Sequence, residues 1–451
     1  MRSKDSIQLF IVLGLITFLI AGCSSGNKEH PEARTTLKVM YYDENGFNYQ
    51  YGMLFSALYP DIDVEVISWN NIKPKDGKDL NEAIFEFIDE KKPDVLMLNA
   101  KQYSQMSREG KLLNLEALMA RDKFDPDGIV PGIVEYIREQ SDGKLYGLAP
   151  SFYSKAVYYN KDLFVKHGIP FPEDRMSWDS LLQLADRFPT NGTEEDRIYG
   201  LRSSKYANDL YSFGTTIGST MGLDVFNAAS KQMTINSESW KQVFETAQKA
   251  IQSPTMFIDD NQFANSYVDY ESFVFQDPFI RGKIAMVVDD NYLMSQIKES
   301  QKSNAEKAIK SWDLVTMPVN SQNPGVTSST SVDQILAIDA NSANIEAAWK
   351  FLSYINGNEF ARVKAKSNMG SLPVRTKYIK DEEGHNLQAF YSLKPIESSV
   401  YQNYDKIPNE TFGKIMELTQ QQLKKVTDEE LSVSEALDYI QVSGQHLLDA
   451  K

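Results

Sequence analysis

Three kinds of side chain in this sequence could do chemistry: a single cysteine, four scattered histidines, and many carboxylates interleaved with aromatic rings. Cys23 stands directly behind Ile20-Ala21-Gly22. A short basic start (Arg2, Lys4) and an apolar run from Leu9 to Gly22 precede it. That run is too short for a ~30 Å hydrocarbon core, so it reads as the apolar part of a secretory signal over residues 1–22, with Cys23 as the mature N-terminus. A thioether-linked diacylglycerol on Cys23, joined by a further acyl chain such as palmitate, supplies the two-chain anchoring that one chain cannot. The expectation is a protein lipid-anchored to the cell membrane on its extracytoplasmic face, held by a polar tether over 23–36.

The remaining chemistry is that of binding. With one cysteine there is no disulfide framework and no thiolate metal site. His30, His167, His385 and His446 form no HExxH or HxH pair, so no metal and no cofactor is expected. Asp122, Asp125 and Asp127 cluster at a spacing that misses the EF-hand pattern. The 62 acidic residues make chance carboxylate pairs inevitable, so general acid–base work on a glycoside rests on no specific signal. Gly218-Ser219-Thr220-Met221-Gly222 is out of register for a nucleophile turn. A formal charge of −15 repels phosphate backbones, so nucleic acid is a poor partner.

The elements that must position the carboxylates and rings alternate between strand and helix. Leu37 to Tyr42 and Asp63 to Trp69 have strand character, and Gly46 to Leu58 reads as helix. Leu80, Ala83, Ile84, Phe87 and Ile88 make one stripe of a helix over Asp79 to Lys92. The unbroken apolar run Asp94 to Leu98 is a strand covered on both faces. Strand–helix–strand order implies parallel pairing. A second such pattern follows Gly143. Its strands are Leu145–Ala149, Lys155–Tyr159, Ile198–Leu201, Ile284–Val288 and Trp312–Thr316. Its helices lie near Asn208–Ile217, Glu238–Ile251 and Tyr270–Ile280. Gln334 to Ile338 is one more strand. A helix bearing Ile345, Ala348, Trp349, Leu352 and Ile355 follows it, and the C-terminal third is helical, its last helix opening on the capping-box spacing Ser432 to Glu435. With 42% hydrophobic residues the chain can build two cores without disulfides.

Several stretches in order resemble the extracellular solute-binding proteins of ABC importers, family 1, the maltose-binding type. They are Tyr146-Gly147-Leu148-Ala149-Pro150, Tyr158-Tyr159-Asn160-Lys161-Asp162-Leu163-Phe164, Gly168-Ile169-Pro170 with Ser177-Trp178-Asp179, Gly282-Lys283-Ile284-Ala285-Met286, Ala347-Ala348-Trp349, and Gly370-Ser371-Leu372-Pro373. The resemblance implies an α/β, two-lobed, type II binding-protein fold, each lobe a mostly parallel sheet flanked by helices, with a helical C-terminal region. Lobe 1 would be 37–149 with 318–365, and lobe 2 would be 150–317 with 370–451. Hinges would lie near Leu148–Ser151, Met317–Asn320 and Met369–Leu372.

Ligands of open α/β sheets sit beyond the carboxyl ends of the strands. In two facing lobes those ends share one cleft. On that rule the first lobe offers Tyr42, Asp43, Glu44, Trp69 and Asn99, the crossover offers Phe152 and Tyr153, and the second lobe offers Asp290 and Tyr292. Tyr211 matches a family position that often carries a stacking aromatic, and Tyr292 stands where many sugar-binding relatives carry tryptophan. Rings that stack on pyranose faces and carboxylates that bond their hydroxyls suit a carbohydrate. The implied protein is a monomeric receptor that hands a sugar or oligosaccharide to ABC permease subunits. The same acids and rings would also suit a cationic solute such as a polyamine or peptide. A secreted glycoside hydrolase and a lipoprotein that docks on a protein partner are the remaining readings.

Overall fold

The computed structural model describes residues 34–450 apart from 75–79, 194–195, 205–208, 259–268, 367–370, 382 and 402–403. The signal, Cys23, most of the tether, the helix starts expected at Asp79 and Asn208, and the hinge residues Met369 and Gly370 lie outside these residues. The strands that build the two main sheets are β1 (Thr35–Tyr41), β2 (Ile62–Ser68), β3 (Val95–Leu98), β4 (Gly147–Leu148), β5 (Ser151–Asn160), β6 (Tyr199–Arg202), β7 (Ile284–Asp290), β8 (Trp312–Thr316), β9 (Thr330–Ser331), β10 (Ile335–Ile338) and β11 (Leu372–Pro373).

The first sheet runs β2-β1-β3-β10-β4 and the second β8-β5-β7-β6, with β9 and β11 pairing on β5. β1 pairs in parallel with β2 and β3, as strand–helix–strand order requires. Both sheets are nonetheless mixed, which corrects the expectation of mostly parallel pairing. β10 is antiparallel to β3 and β4, β5 is antiparallel to β7 and β8, and only β6 joins β7 in parallel. The physical reason is connectivity. β10 and β5 are the strands by which the chain enters a sheet from the other one, so no crossover helix of that sheet sets their direction.

Burial explains the strand order. Every residue of β3 and β10 is buried, as expected of central strands covered on both faces. Asp94, also buried, ties three segments together. Its carboxylate accepts the Lys38 amide at 2.8 Å, the Ser342 hydroxyl at 2.6 Å and the Asn344 side-chain amide at 3.2 Å. The helix Ile345–Ile355 that follows buries Trp349, whose indole N–H donates to Asp122 at 2.7 Å.

The second sheet has a core on each face. Ala156, Tyr158, Val287 and Leu314 join the apolar cluster of the first sheet. Val157, Tyr159, Met286 and Val315 face the other way, toward Trp240, Ile415, Leu423 and Ile440. The helices Asn409–Thr427 and Val433–Asp449 close this outer core, and Ser432 and Glu435 form the expected capping box. The helix Leu210–Met221 packs on Glu238–Gln252 closely enough that a Cβ on Gly214 would stand 2.3 Å from Phe244 and one on Gly218 2.3 Å from Trp240.

Several boundaries move. The strand expected at Leu145–Ala149 is only Gly147–Leu148, and β5 extends the expected Lys155–Tyr159 at both ends. The helix at Tyr270 stops at Phe275, shortly before Pro278. Met317 lies in the second core, and the Val319 amide donates to the Met176 carbonyl at 2.9 Å. Before β10 enters the first sheet, the chain pairs on β5 of the second sheet at β9. There Thr330 faces Ser154 and Ser331 faces Tyr153 on β5. β11 sits on the preceding residues, Leu372 facing Phe152 and Pro373 facing Ser151.

Candidate functional site

β1 and β2 end side by side, so their following residues meet. Tyr42, exposed, and Trp69, half-buried, form an edge-to-face pair with centroids 5.2 Å apart. Asp43 caps the short helix Glu44–Phe47, its Oδ1 accepting the Gly46 amide at 2.7 Å, and Glu44 is exposed in the first turn. Beneath them Tyr41 and Tyr51 are buried around Gln334, whose Oε1 accepts the Tyr51 hydroxyl at 3.3 Å. Burial pushes the Tyr41 hydroxyl up to about 12 against a bond to Gln334, with the Tyr153 hydroxyl and Asp43 adding to it. Tyr41 therefore stays protonated, its hydroxyl able to donate a hydrogen bond, throughout the physiological range.

β3 ends in Asn99, which caps the helix Ala100–Arg108 in a reciprocal box with Gln102; the Gln102 amide in turn donates to Asn81 at 3.0 Å. Asn81, Asn99 and Lys101 form one wall of a cavity of about 600 Å³. Tyr136 and Gln140, Ser328 with Thr330–Asp333, and Glu397, Ser398, Tyr401 and Tyr404 also line it. Its charged groups are Lys101, Asp333 and Glu397. The Ser331 hydroxyl donates to Asp333. Burial raises the Tyr136 hydroxyl, and Glu397 and Asp333, which face it, raise it further.

Tyr211 stands one layer behind this wall. It is buried, and its hydroxyl meets that of Tyr401 at 2.6 Å. Ser398 is likewise bonded to Ser219 at 2.9 Å, so the helix Leu210–Met221 backs this side of the cavity. Tyr153, 43% exposed, faces the cavity residue Ser331 across the β5–β9 pair. Its neighbour Phe152 has no exposed surface and packs in the first core. Strand alternation sends adjacent side chains to opposite faces, so Phe152 is corrected from a contact residue to a core residue.

At the end of β7, Asp290 Oδ1 accepts the Tyr292 amide at 2.8 Å, and its carbonyl accepts the Tyr158 hydroxyl at 2.6 Å. The Tyr292 and Tyr270 hydroxyls meet at 2.8 Å, both rings exposed.

The structure thus brings the predicted residues into three groups: Tyr42 with Trp69 and Asp43; Asn99, Tyr153 and Tyr211 at or behind the cavity; and Asp290 with Tyr292. The cavity wall itself contains only Asn99 of the predicted set. Sequence reasoning missed Tyr136, Asp333, Glu397, Ser398, Tyr401 and Tyr404, because Tyr136 lies within the helix Pro131–Glu139 and the others follow short strands or turns with no apolar run to announce them. The serine- and tyrosine-rich run Glu397 to Tyr404 was the available signal. A second cavity of about 250 Å³, between the helices Trp178–Ala185 and Glu238–Gln252, touches none of these residues.

Two facing α/β layers with a polar, ring-lined cavity are the architecture of a solute-binding protein. The chain belongs to the bacterial extracellular solute-binding proteins, whose family model matches residues 29–361. Over 267 residues it is 30% identical to a putative binding protein of Brucella abortus, covering 56% of this chain and 57% of that one. The chain thus spans little more than half the length of that curated relative. Among solved structures, an ABC substrate-binding protein of Listeria monocytogenes in complex with cycloalternan shares 20% identity and a TM-score of 0.54, with 92% of this chain and 99% of that one covered. A sugar-binding protein of Xanthomonas citri shares 17% identity and a TM-score of 0.62, with 92% and 97% covered. At these identities the likeness is one of fold: the two-lobed type II binding-protein architecture. Among the described residues no helix is long and apolar enough to cross a membrane.

Proposed function

We propose that this protein is the membrane-anchored receptor of an ABC importer, capturing a sugar or oligosaccharide outside the cell between lobes formed by 37–149 with 318–365 and 150–317 with 370–451. The observation that carries the reading is the cavity of about 600 Å³, whose wall mixes amides and hydroxyls (Asn81, Asn99, Gln140, Ser328, Ser398) with the rings of Tyr136, Tyr401 and Tyr404. Amide and hydroxyl groups match the hydroxyl edge of a pyranose, and phenol rings match its apolar face at low entropic cost. Tyr42, Trp69, Tyr153, Asp290 and Tyr292 extend the same chemistry along the strand ends. Lipidation at Cys23 holds the monomer to the membrane, and closure of the lobes follows from tighter binding in the shut state. That the solved relatives of this fold include a protein in complex with cycloalternan and a sugar-binding protein supports the choice of ligand.

A second reading, a cationic solute, draws on Asp333 and Glu397 outnumbering Lys101 in the cavity wall. A thermal-shift screen of mono- and oligosaccharides beside polyamines, followed by calorimetry at low and high salt, separates the two. The expected result is stabilisation by a saccharide with little salt dependence, since neutral ligands are not screened. Stabilisation by amines alone, lost at high salt, overturns the carbohydrate assignment.

A further inference from the structure

We propose that Arg202 and Asp289 are positioning residues for the solute cleft: their part-buried contact fixes the end of β7, from which Asp290 and Tyr292 are presented. The inference rests on the reading above, in which Asp290 and Tyr292 meet the solute.

Arg202 is the last residue of β6 and is 1% exposed. Its Nη2 donates to Asp277 Oδ2 at 3.0 Å and lies 3.5 Å from Asp289 Oδ2, while its Nε has no hydrogen-bond partner among the described residues. Asp277 is itself fixed by its turn, its Oδ1 accepting the Phe279 amide at 2.9 Å. One guanidinium thus serves two carboxylates, and only one of them lies on the strand that leads to the cleft. Asp289 holds Arg202 with one oxygen, and with the other accepts the amide of Asp290 at 2.9 Å. Asp290 repeats the device on Tyr292, and Tyr158 fastens the Asp290 carbonyl from β5. A chain of contacts therefore runs from a buried cation to an exposed phenol.

Among the described residues, the charged or titratable groups facing Asp289 are Arg202 on β6, Asp277 in the turn before β7, Asp290 on β7 and the Tyr158 hydroxyl on β5. Burial pushes the Asp289 carboxyl up to about 6; Arg202 and the Asp290 amide pull it down, and Asp290 and Asp277 push it up again. Below that pH the neutral acid loses its charge-assisted hold on Arg202. The end of β7 is released, and solute binding weakens.

The test uses the mature protein with the saccharide that gives the largest thermal shift. Calorimetry from pH 7.5 to 5 is expected to show wild-type affinity falling about three- to tenfold, as loss of one charge-assisted bond allows. D289N is expected to bind weakly at pH 7.5 and to show no further fall. R202K, which keeps the charge without the fork, is expected to retain the pH dependence at intermediate affinity. A D289N protein with wild-type affinity and an unchanged pH profile overturns the proposal. A ligand-free readout separates this failure from failure of the carbohydrate reading. Tryptophan emission of Y292W is expected to titrate with a midpoint near 6, and the Y292W/D289N double variant, with the same other tryptophans, is expected not to. If no saccharide binds, the proposed function fails and the emission titration alone decides whether Asp289 positions this turn. Identical titrations in the two variants overturn it.

Discussion

The hydroxyls of Tyr211 and Tyr401 meet at 2.6 Å, one ring lining the cavity and the other buried behind it. Burial, and then its Tyr211 partner, raises the Tyr401 hydroxyl far above the ordinary phenol range, so the pair stays protonated and neutral. Y211F removes one neutral hydrogen bond worth about 1 kcal/mol. The expected outcome is a roughly fivefold loss of saccharide affinity, with no new pH dependence. Calorimetry at pH 6 and 8 checks both parts.

Trp69 and Tyr42 make a rim pair, and neither lines the cavity. If the solute spans from the cavity to this rim, W69A lowers affinity about tenfold or more, because a stacked indole is among the costliest contacts to truncate. Titrating a ladder of oligosaccharide lengths is the measurement. The penalty is expected to grow with ligand length and to vanish for a monosaccharide.

Gly218 is a packing requirement. A Cβ there would stand 2.3 Å from the Trp240 ring, which is itself 1% exposed. G218A forces the helix Leu210–Met221 away from its neighbour, at about 1–3 kcal/mol. Chemical unfolding should show the lower midpoint, and displacement of Tyr211 on the same helix should lower affinity with it.

Stability near Asp289 has a definite sign. Its folded-state carboxyl titrates at about 6, above the ordinary value near 3.9, so the native state binds more protons than the unfolded one between those limits. This group therefore takes stability away as pH rises from about 4 to about 6. Urea midpoints of D289N and wild type are expected to diverge across that window in favour of D289N. Converging midpoints would contradict the assignment.

Cys23 sits where a lipidated N-terminus is expected. C23S should leave the protein soluble in cell fractionation while its saccharide affinity is unchanged. Retention of C23S in the membrane fraction would point to another anchor.

Much of the fold was legible because its signals are local. The apolar run of β3 announces a strand covered on both faces, that of β10 one more strand, and the Ser432–Glu435 spacing announces the last helix. Strand direction was not legible. β5 and β10 run antiparallel to their neighbours because of where the chain re-enters each sheet, a property of distant segments that no window of sequence contains. The candidate site divides in the same way. Tyr42, Trp69, Asn99, Asp290 and Tyr292 follow from the strand-end rule. Tyr401 and Glu397 come from a loop whose approach to Asn99 depends on packing some 300 residues downstream. Phe152 was misread because a residue count cannot say which face of a strand an individual side chain takes, whereas its partner Tyr153 took the outward one.

β5 is gripped along ten residues by β11, β9, β7 and β8 in turn. Strands from four distant stretches of the chain are thereby stitched to one ribbon. Relocating the termini to just before β9 or β11 by circular permutation is expected to leave the other strands seated on that ribbon, so the rearranged chain should still fold.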